Sequence, residues 1–110
     1  MARFVKGDVV VVPFPFSNLQ QAKRRPAMVV SPLEGDDLIL CQITSRATGD
    51  RYSIPLDQMD FETGSLRQSS NIRPNRLFTA DRAIVLYCAG SLAKGKIEEV
   101  VERLVEIVRA

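Results

Sequence analysis

Lys23-Arg24-Arg25-Pro26-Ala27-Met28-Val29-Val30-Ser31 is the stretch on which the reading of the chain turns. Three cations close a polar loop, a proline follows, and then comes an apolar run too short for a helix. Such a run reads as a buried strand. Strands tolerate proline at their first residue, so a strand is expected over residues 26–31. Arg25 then stands where a loop meets a rigid sheet. A cation held there can meet a phosphate with its guanidinium already aimed. Adjacent cations are also the ordinary make-up of a solvated corner, so the run alone assigns no function.

Upstream, Lys6-Gly7-Asp8 signals a turn. Val9-Val10-Val11-Val12 is β-branched throughout, as expected of a strand covered on both faces. Phe14 and Phe16 alternate with Pro13 and Pro15, which keeps that segment extended. The polar loop that follows runs to the cations. At about ten residues it exceeds the usual hairpin loop, and loops of that kind tend to carry function.

Downstream, residues 38–44 read as a third strand and 51–56 as a short one. Residues 66–72 form a half-wet strand that Arg73-Pro74-Asn75-Arg76 breaks, and residues 83–89 are a further strand. The period then changes. Ile97, Val100, Val101, Leu104, Ile107 and Val108 share one face of a helix. Ala93, Lys94 and Gly95 make a poor N-cap, and Ser91 is the better candidate for an early start. A helix of ~14 residues is marginal alone, so this face must pack on the sheet or on a partner chain. Five to seven short strands and one helix predict a mainly β fold. The natural form is a small, mostly antiparallel barrel closed on one side by the helix.

Composition sets outer bounds. A chain of 110 residues fits a single domain, 1–110, and 45% apolar content is ordinary for a globular core. The net charge of +2 does not by itself announce nucleic-acid binding. Its distribution says more: residues 1–31 carry Arg3, Lys6, Lys23, Arg24 and Arg25 against Asp8 alone. There is no histidine, which excludes imidazole acid–base chemistry and His-bearing metal sites. Cys41 and Cys88 lie in apolar runs and read as buried free thiols suited to a reducing cytosol. No metal and no cofactor are expected. Met1-Ala2-Arg3-Phe4 opens no signal-peptide core, and no apolar run approaches the ~20 residues of a membrane span.

Four pieces of the chain resemble, in order, the motifs of the MazF/PemK toxins of toxin–antitoxin pairs. Lys6-Gly7-Asp8-Val9-Val10 resembles the family's opening "G-D" strand. Arg24-Arg25-Pro26-Ala27-Met28-Val29-Val30-Ser31 resembles its "R-R-P-x-L-V-L-S" strand. Cys41-Gln42-Ile43-Thr44-Ser45 resembles its "I-T-S" strand end, and residues 72–79 its "R-x-D-x-x-x-T" segment. The resemblance implies an SH3-like small barrel of the CcdB/PemK kind and a homodimer. It also implies metal-independent, sequence-selective cleavage of single-stranded RNA in the cytoplasm. A cognate antitoxin would lay a disordered tail over the RNA groove, and the pair would bind DNA together.

On this resemblance Arg25 and Thr44 are the catalytic candidates. Arg25 would stabilise phosphoryl charge, and Thr44 would hold the scissile phosphate. The ordinary alternatives are an ion pair of Arg25 with Asp36 or Asp37 and a strand threonine satisfied by its neighbours. Arg73 matches the family's arginine, but Asn75 stands where an aspartate is expected and cannot take a proton at neutral pH. Arg73, Asn75 and Arg76 are therefore expected to bind RNA, with pairing of Arg73 to Asp81 as the plain alternative. Phe16, Asn18, Gln20, Lys23 and Arg24 of the first loop, with Ser45 and Arg46 after the third strand, complete the expected RNA-binding set. A binding-only toxin of the same fold, the CcdB kind that traps DNA gyrase, is the alternative. The absence of tryptophan speaks against it and the Asn75 departure for it. A proline-peptide module ranks last, since aromatic residues are few.

Overall fold

The computed structural model describes residues 3–14 and 23–110. Among these, seven strands form one curled sheet: β1 Asp8–Phe14, β2 Lys23–Pro32, β3 Asp37–Thr44, β4 Ile54–Leu56, β5 Phe61–Gly64, β6 Ser70–Asp81 and β7 Tyr87–Leu92. Helix α1, Lys94–Arg109, follows. The strand order is β4-β6-β3-β2-β1-β7-β5, and each pairing is antiparallel. The expected mainly β fold with a C-terminal helix is what the chain forms, its single antiparallel sheet curled into a half-barrel.

The central strands are buried on both faces, and their alternation feeds two cores. Val9, Met28, Cys41, Ile43 and Ile72 point to one side, where Val100 of α1 closes over them. Val10, Val12, Ala27, Val29, Leu38 and Leu40 point to the other, covered by Phe4, Phe78 and the 3₁₀ turn Arg82–Ile84. The valine run of β1 serves both cores, which is why it has no polar alternation.

Several strand boundaries differ from expectation. β2 begins at Lys23 rather than Pro26, so all three cations lie on the strand. β1 pairs with it from Phe14↔Lys23 onward, whereas β3 joins only at Ala27↔Gln42. One edge of Lys23–Pro26 is thus unpaired, and a proline without an N–H is tolerated there. β6 does not break at Arg73–Arg76. Gln42 pairs with Arg73 and Cys41 with Leu77, so Pro74, Asn75 and Arg76 form a bulge within one long strand. β4 is shorter than expected because the Asp50 carboxylate takes the N–H groups of Tyr52 and Ser53, each at 2.9 Å, and turns them out of the ladder. The segment expected as a strand over 83–89 is a 3₁₀ turn followed by β7. β5 was not anticipated; it reaches β7 only because Gly90 has no side chain, as a Cβ there would collide with the Thr63 carbonyl. Cys88 is exposed, not buried.

The helix has no side-chain N-cap: its N-cap position is Ala93. Ser91 lies in β7, where its hydroxyl donates to Asp8 at 2.9 Å. The amphipathic face packs as expected as far as Ile107, but Val108 is 75% exposed. Lys96 donates to the Pro55 carbonyl at 3.0 Å, and Arg103 to the Arg51 and Tyr52 carbonyls at 3.0 and 3.1 Å. These bonds fasten the helix to the segment leading into β4. No helix among the described residues is long and apolar enough to cross a membrane.

Candidate functional site

The β2–β3 ladder ends at Ala27↔Gln42 because Pro26 has no N–H to continue it. Beyond that rung the strands part, and a hollow of about 250 Å³ opens. Arg25 pairs across β1 with Val12, and Arg73 across β3 with Gln42. By strand alternation Arg25, Gln42, Thr44 and Arg73 all face the side of the second core. The hollow is therefore the polar end of that core, where alternation continues past the last apolar residue. Its apolar wall is Phe14 and Phe78, whose rings are 6.0 Å apart and tilted by 48°.

Arg25, Thr44, Arg46 and Arg73 meet at this hollow. A second hollow of about 680 Å³ shares Arg25 and Thr44 and continues past Arg24, Ser45, Arg67 and Gln68 toward Tyr87. Together the two make a groove floored by the open ends of β2 and β3. Among the described residues no carboxylate lines either hollow, while Arg24, Arg25, Arg46, Arg67 and Arg73 do. A chain of small net charge thus concentrates cations in one place, a site for a polyanion.

The individual groups differ in freedom. The Arg25 side chain is exposed and makes no hydrogen bond or ion pair among the described residues. Asp36 instead lies 3.9 Å from Arg82. Thr44 Oγ1 accepts from the Arg46 N–H at 3.2 Å, which leaves its own proton to donate. The Asn71 amide donates to the Arg46 carbonyl at 3.2 Å and steadies the turn after β3. Arg73 pairs with Asp50 at 3.1 Å, not with Asp81, whose carboxylate caps the 3₁₀ turn through Ala83 N–H.

Three of the RNA-binding expectations, Phe16, Asn18 and Gln20, lie outside the described residues. Lys23 is exposed at the start of β2, and Asn75 and Arg76 are exposed on the β6 bulge; none of the three lines a hollow. Sequence reasoning passed over Gln42, Asp50, Arg67 and the Phe14–Phe78 wall. Gln42 had a signal, since it stands two residues before Thr44 on a strand and so shares its face.

The chain is thus a small curled β sheet with a capping helix, whose two adjoining hollows are lined by arginines and by no carboxylate among the described residues. The family model for the PemK-like, MazF-like toxins of type II toxin–antitoxin systems matches residues 5–108, and the chain belongs to that family. Solved structures agree in fold. MazF from Deinococcus radiodurans is 23% identical over 100% of both chains, with a TM-score of 0.75. Toxin MazF-mt6 of Mycobacterium tuberculosis is 14% identical, covering 93% of this chain and 96% of its own, with a TM-score of 0.73. A mycobacterial endoribonuclease in complex with its cognate antitoxin is 11% identical, covering 98% of this chain and 95% of its own, with a TM-score of 0.74. Among curated proteins no sequence matches the chain.

Proposed function

We propose that this toxin is a metal-independent endoribonuclease that cuts single-stranded RNA by attack of the RNA's own 2′-hydroxyl. The observation that carries the reading is the meeting of Arg25 and Thr44, both free to bond an anion, at the head of the arginine groove. The 2′-oxygen attacks the adjacent phosphorus, the 5′-oxygen leaves, and a 2′,3′-cyclic phosphate remains. DNA has no 2′-hydroxyl and cannot follow this route. Arg25 presents a permanent, planar charge to the non-bridging oxygens as the pentacovalent centre forms. Thr44 donates its hydroxyl to a phosphoryl oxygen and holds the phosphate in line. Residues 15–22 contain no titratable side chain and no carboxylate lines the hollows, so the 2′-proton passes to water. Arg24, Ser45, Arg46 and Arg73 hold the flanking backbone. Lys23, Asn75 and Arg76 are assigned to more distant stretches of the strand, and Phe16, Asn18 and Gln20 to base contacts.

The working protein is a cytoplasmic homodimer restrained by an antitoxin whose tail occupies the groove. Two neighbours in fold are known with an antitoxin bound, the mycobacterial endoribonuclease and a MazE–MazF complex of D. radiodurans. Acidic residues in such a tail would meet Arg24, Arg25 and Arg67.

The test is incubation of the chain with a long single-stranded RNA in excess EDTA, beside Arg25→Ala, with mapping of the new 5′ ends. Cuts at a repeated short word, leaving cyclic or 3′-phosphate, are expected, with a loss of about 10²–10³ in rate for Arg25→Ala. A folded chain that cuts no RNA would overturn the reading and favour a binding-only toxin directed at DNA gyrase.

A further inference from the structure

Among the described residues, Arg73 is the one arginine of the groove with a carboxylate partner. That partner, Asp50, belongs to the loop between β3 and β4, 23 residues away in sequence. Its Oδ1 accepts from Tyr52 N–H and Ser53 N–H at 2.9 Å and from Ser53 Oγ at 3.0 Å. Its Oδ2 accepts from Arg73 Nη2 at 3.1 Å. The loop is braced from behind, since Arg103 of α1 binds the carbonyls of Arg51 and Tyr52, and the Thr48 and Ser53 hydroxyls bond to each other.

We propose that Asp50 is a positioning residue of this site, whose loop-anchored carboxylate holds the Arg73 guanidinium at the wall of the hollow. The inference rests on the ribonuclease reading of that hollow and deepens it. An arginine side chain has many rotamers, and an unclamped one at a groove edge swings into water. With one Nη fixed by Asp50, the planar fork stays aimed, ready for a phosphoryl oxygen. Both Asp50 oxygens are occupied by donors, so the carboxylate is not a base. Desolvation pushes its pKa up, but the Ser53, Tyr52 and Arg73 donors outweigh this and the net shift is downward. Asn75, on the exposed bulge, does not share the task. The carboxylate that tunes Arg73 has come from a loop rather than from β6.

Asp50→Asn tests this. Asparagine still accepts from the Tyr52 and Ser53 N–H groups, but it can set its NH₂ against the guanidinium, donor facing donor. In the EDTA cleavage assay kcat is expected to fall about 10- to 100-fold with KM little changed and the chain still folded at neutral pH. In an Arg73→Ala background the same change is expected to cost nothing further, because Asp50 acts only through Arg73. Nitrogen-15 NMR of the Arg73 Nη2–H that Asp50 accepts from is a readout that does not depend on cutting. The resonance is expected to be dispersed and protected from exchange in the unmodified chain and averaged in Asp50→Asn. An unchanged resonance, unchanged cleavage by Asp50→Asn, or losses that add to those of Arg73→Ala would each overturn the proposal. Should the unmodified chain cut no RNA, the ribonuclease reading falls, while the NMR comparison still decides whether Asp50 holds Arg73.

Discussion

Arg25 and Thr44 occupy matching register positions on β2 and β3, two rungs beyond the last paired rung, Ala27↔Gln42. Pro26 separates them from that rung, and its missing N–H is what keeps the strands apart at their ends. The two side chains share one hollow without bonding each other. A proline in a strand thus acts as a spacer that opens a binding site at the end of a sheet.

Thr44 supplies a hydroxyl whose oxygen is already engaged by the Arg46 N–H at 3.2 Å. Thr44→Ser preserves that bond and the free proton, and is expected to retain cleavage within about tenfold. Thr44→Val preserves shape and removes the donor, and is expected to lose about 10²-fold or more in kcat. Single-turnover cleavage of a short RNA would separate the two; equal rates for both variants would remove Thr44 from the chemistry.

The Asp50 carboxyl titrates below its ordinary 3.8 in the folded chain. A depressed folded pKa means the unfolded chain binds the proton more readily. The stability contributed by this carboxylate is therefore present above the unfolded pKa and is lost as pH falls through the folded value. Melting curves from pH 6 down to pH 2 should show Asp50→Asn lacking part of the acid-side decline of the unmodified chain. A gap between the two that widens toward low pH would contradict the sign.

What local patterning encodes was legible. The Val9–Val12 run, the alternation of residues 38–44 and the helical period after Ile97 each depend on near neighbours, and each forms. What depends on distant partners was not. Arg73-Pro74-Asn75-Arg76 looks like a break because proline ends ladders, yet β3 re-pairs at Leu77 and turns the interruption into a bulge. Pro26 looked like a strand's first residue because nothing local says that β1 continues past it while β3 does not. Asp50 lies in a polar loop that resembles any other, and only the fold carries it to Arg73. The Arg25 and Thr44 positions were reached through a family resemblance; composition and spacing alone left both as ordinary surface residues.

The two thiols should behave differently. Burial, only partly offset by the Met28 backbone hydrogen bond, pushes the Cys41 thiol up to about 12. Cys88 is exposed, and its pKa is raised by partial burial and the Asp8 carboxylate against an opposing hydrogen bond from the Gly90 backbone. At pH 8 a thiol reagent is expected to label Cys88 alone, at a rate still climbing above pH 9, and to reach Cys41 only after denaturation. Mass spectrometry of the labelled peptides checks this; native labelling of Cys41 would mean that the first core opens readily.

Helix α1 offers a closing contrast, because two residues of its apolar face have opposite surroundings. Val100 is fully buried against Ile72, Ile54 and Met28, whereas Val108 is 75% exposed. Ile72→Ala empties space in a core that the sheet and helix share, and such cavities cost about 2–5 kcal/mol. Val108→Ala removes a side chain that solvent already surrounds and should stay within about 0.5 kcal/mol of the unmodified chain. Urea unfolding at fixed protein concentration measures both, with the midpoint moving and the slope constant if the folded and unfolded states are unchanged in extent. A large loss for Val108→Ala that shrinks on dilution would instead mean that a second copy of the chain covers that end of the helix, since only association makes stability depend on concentration.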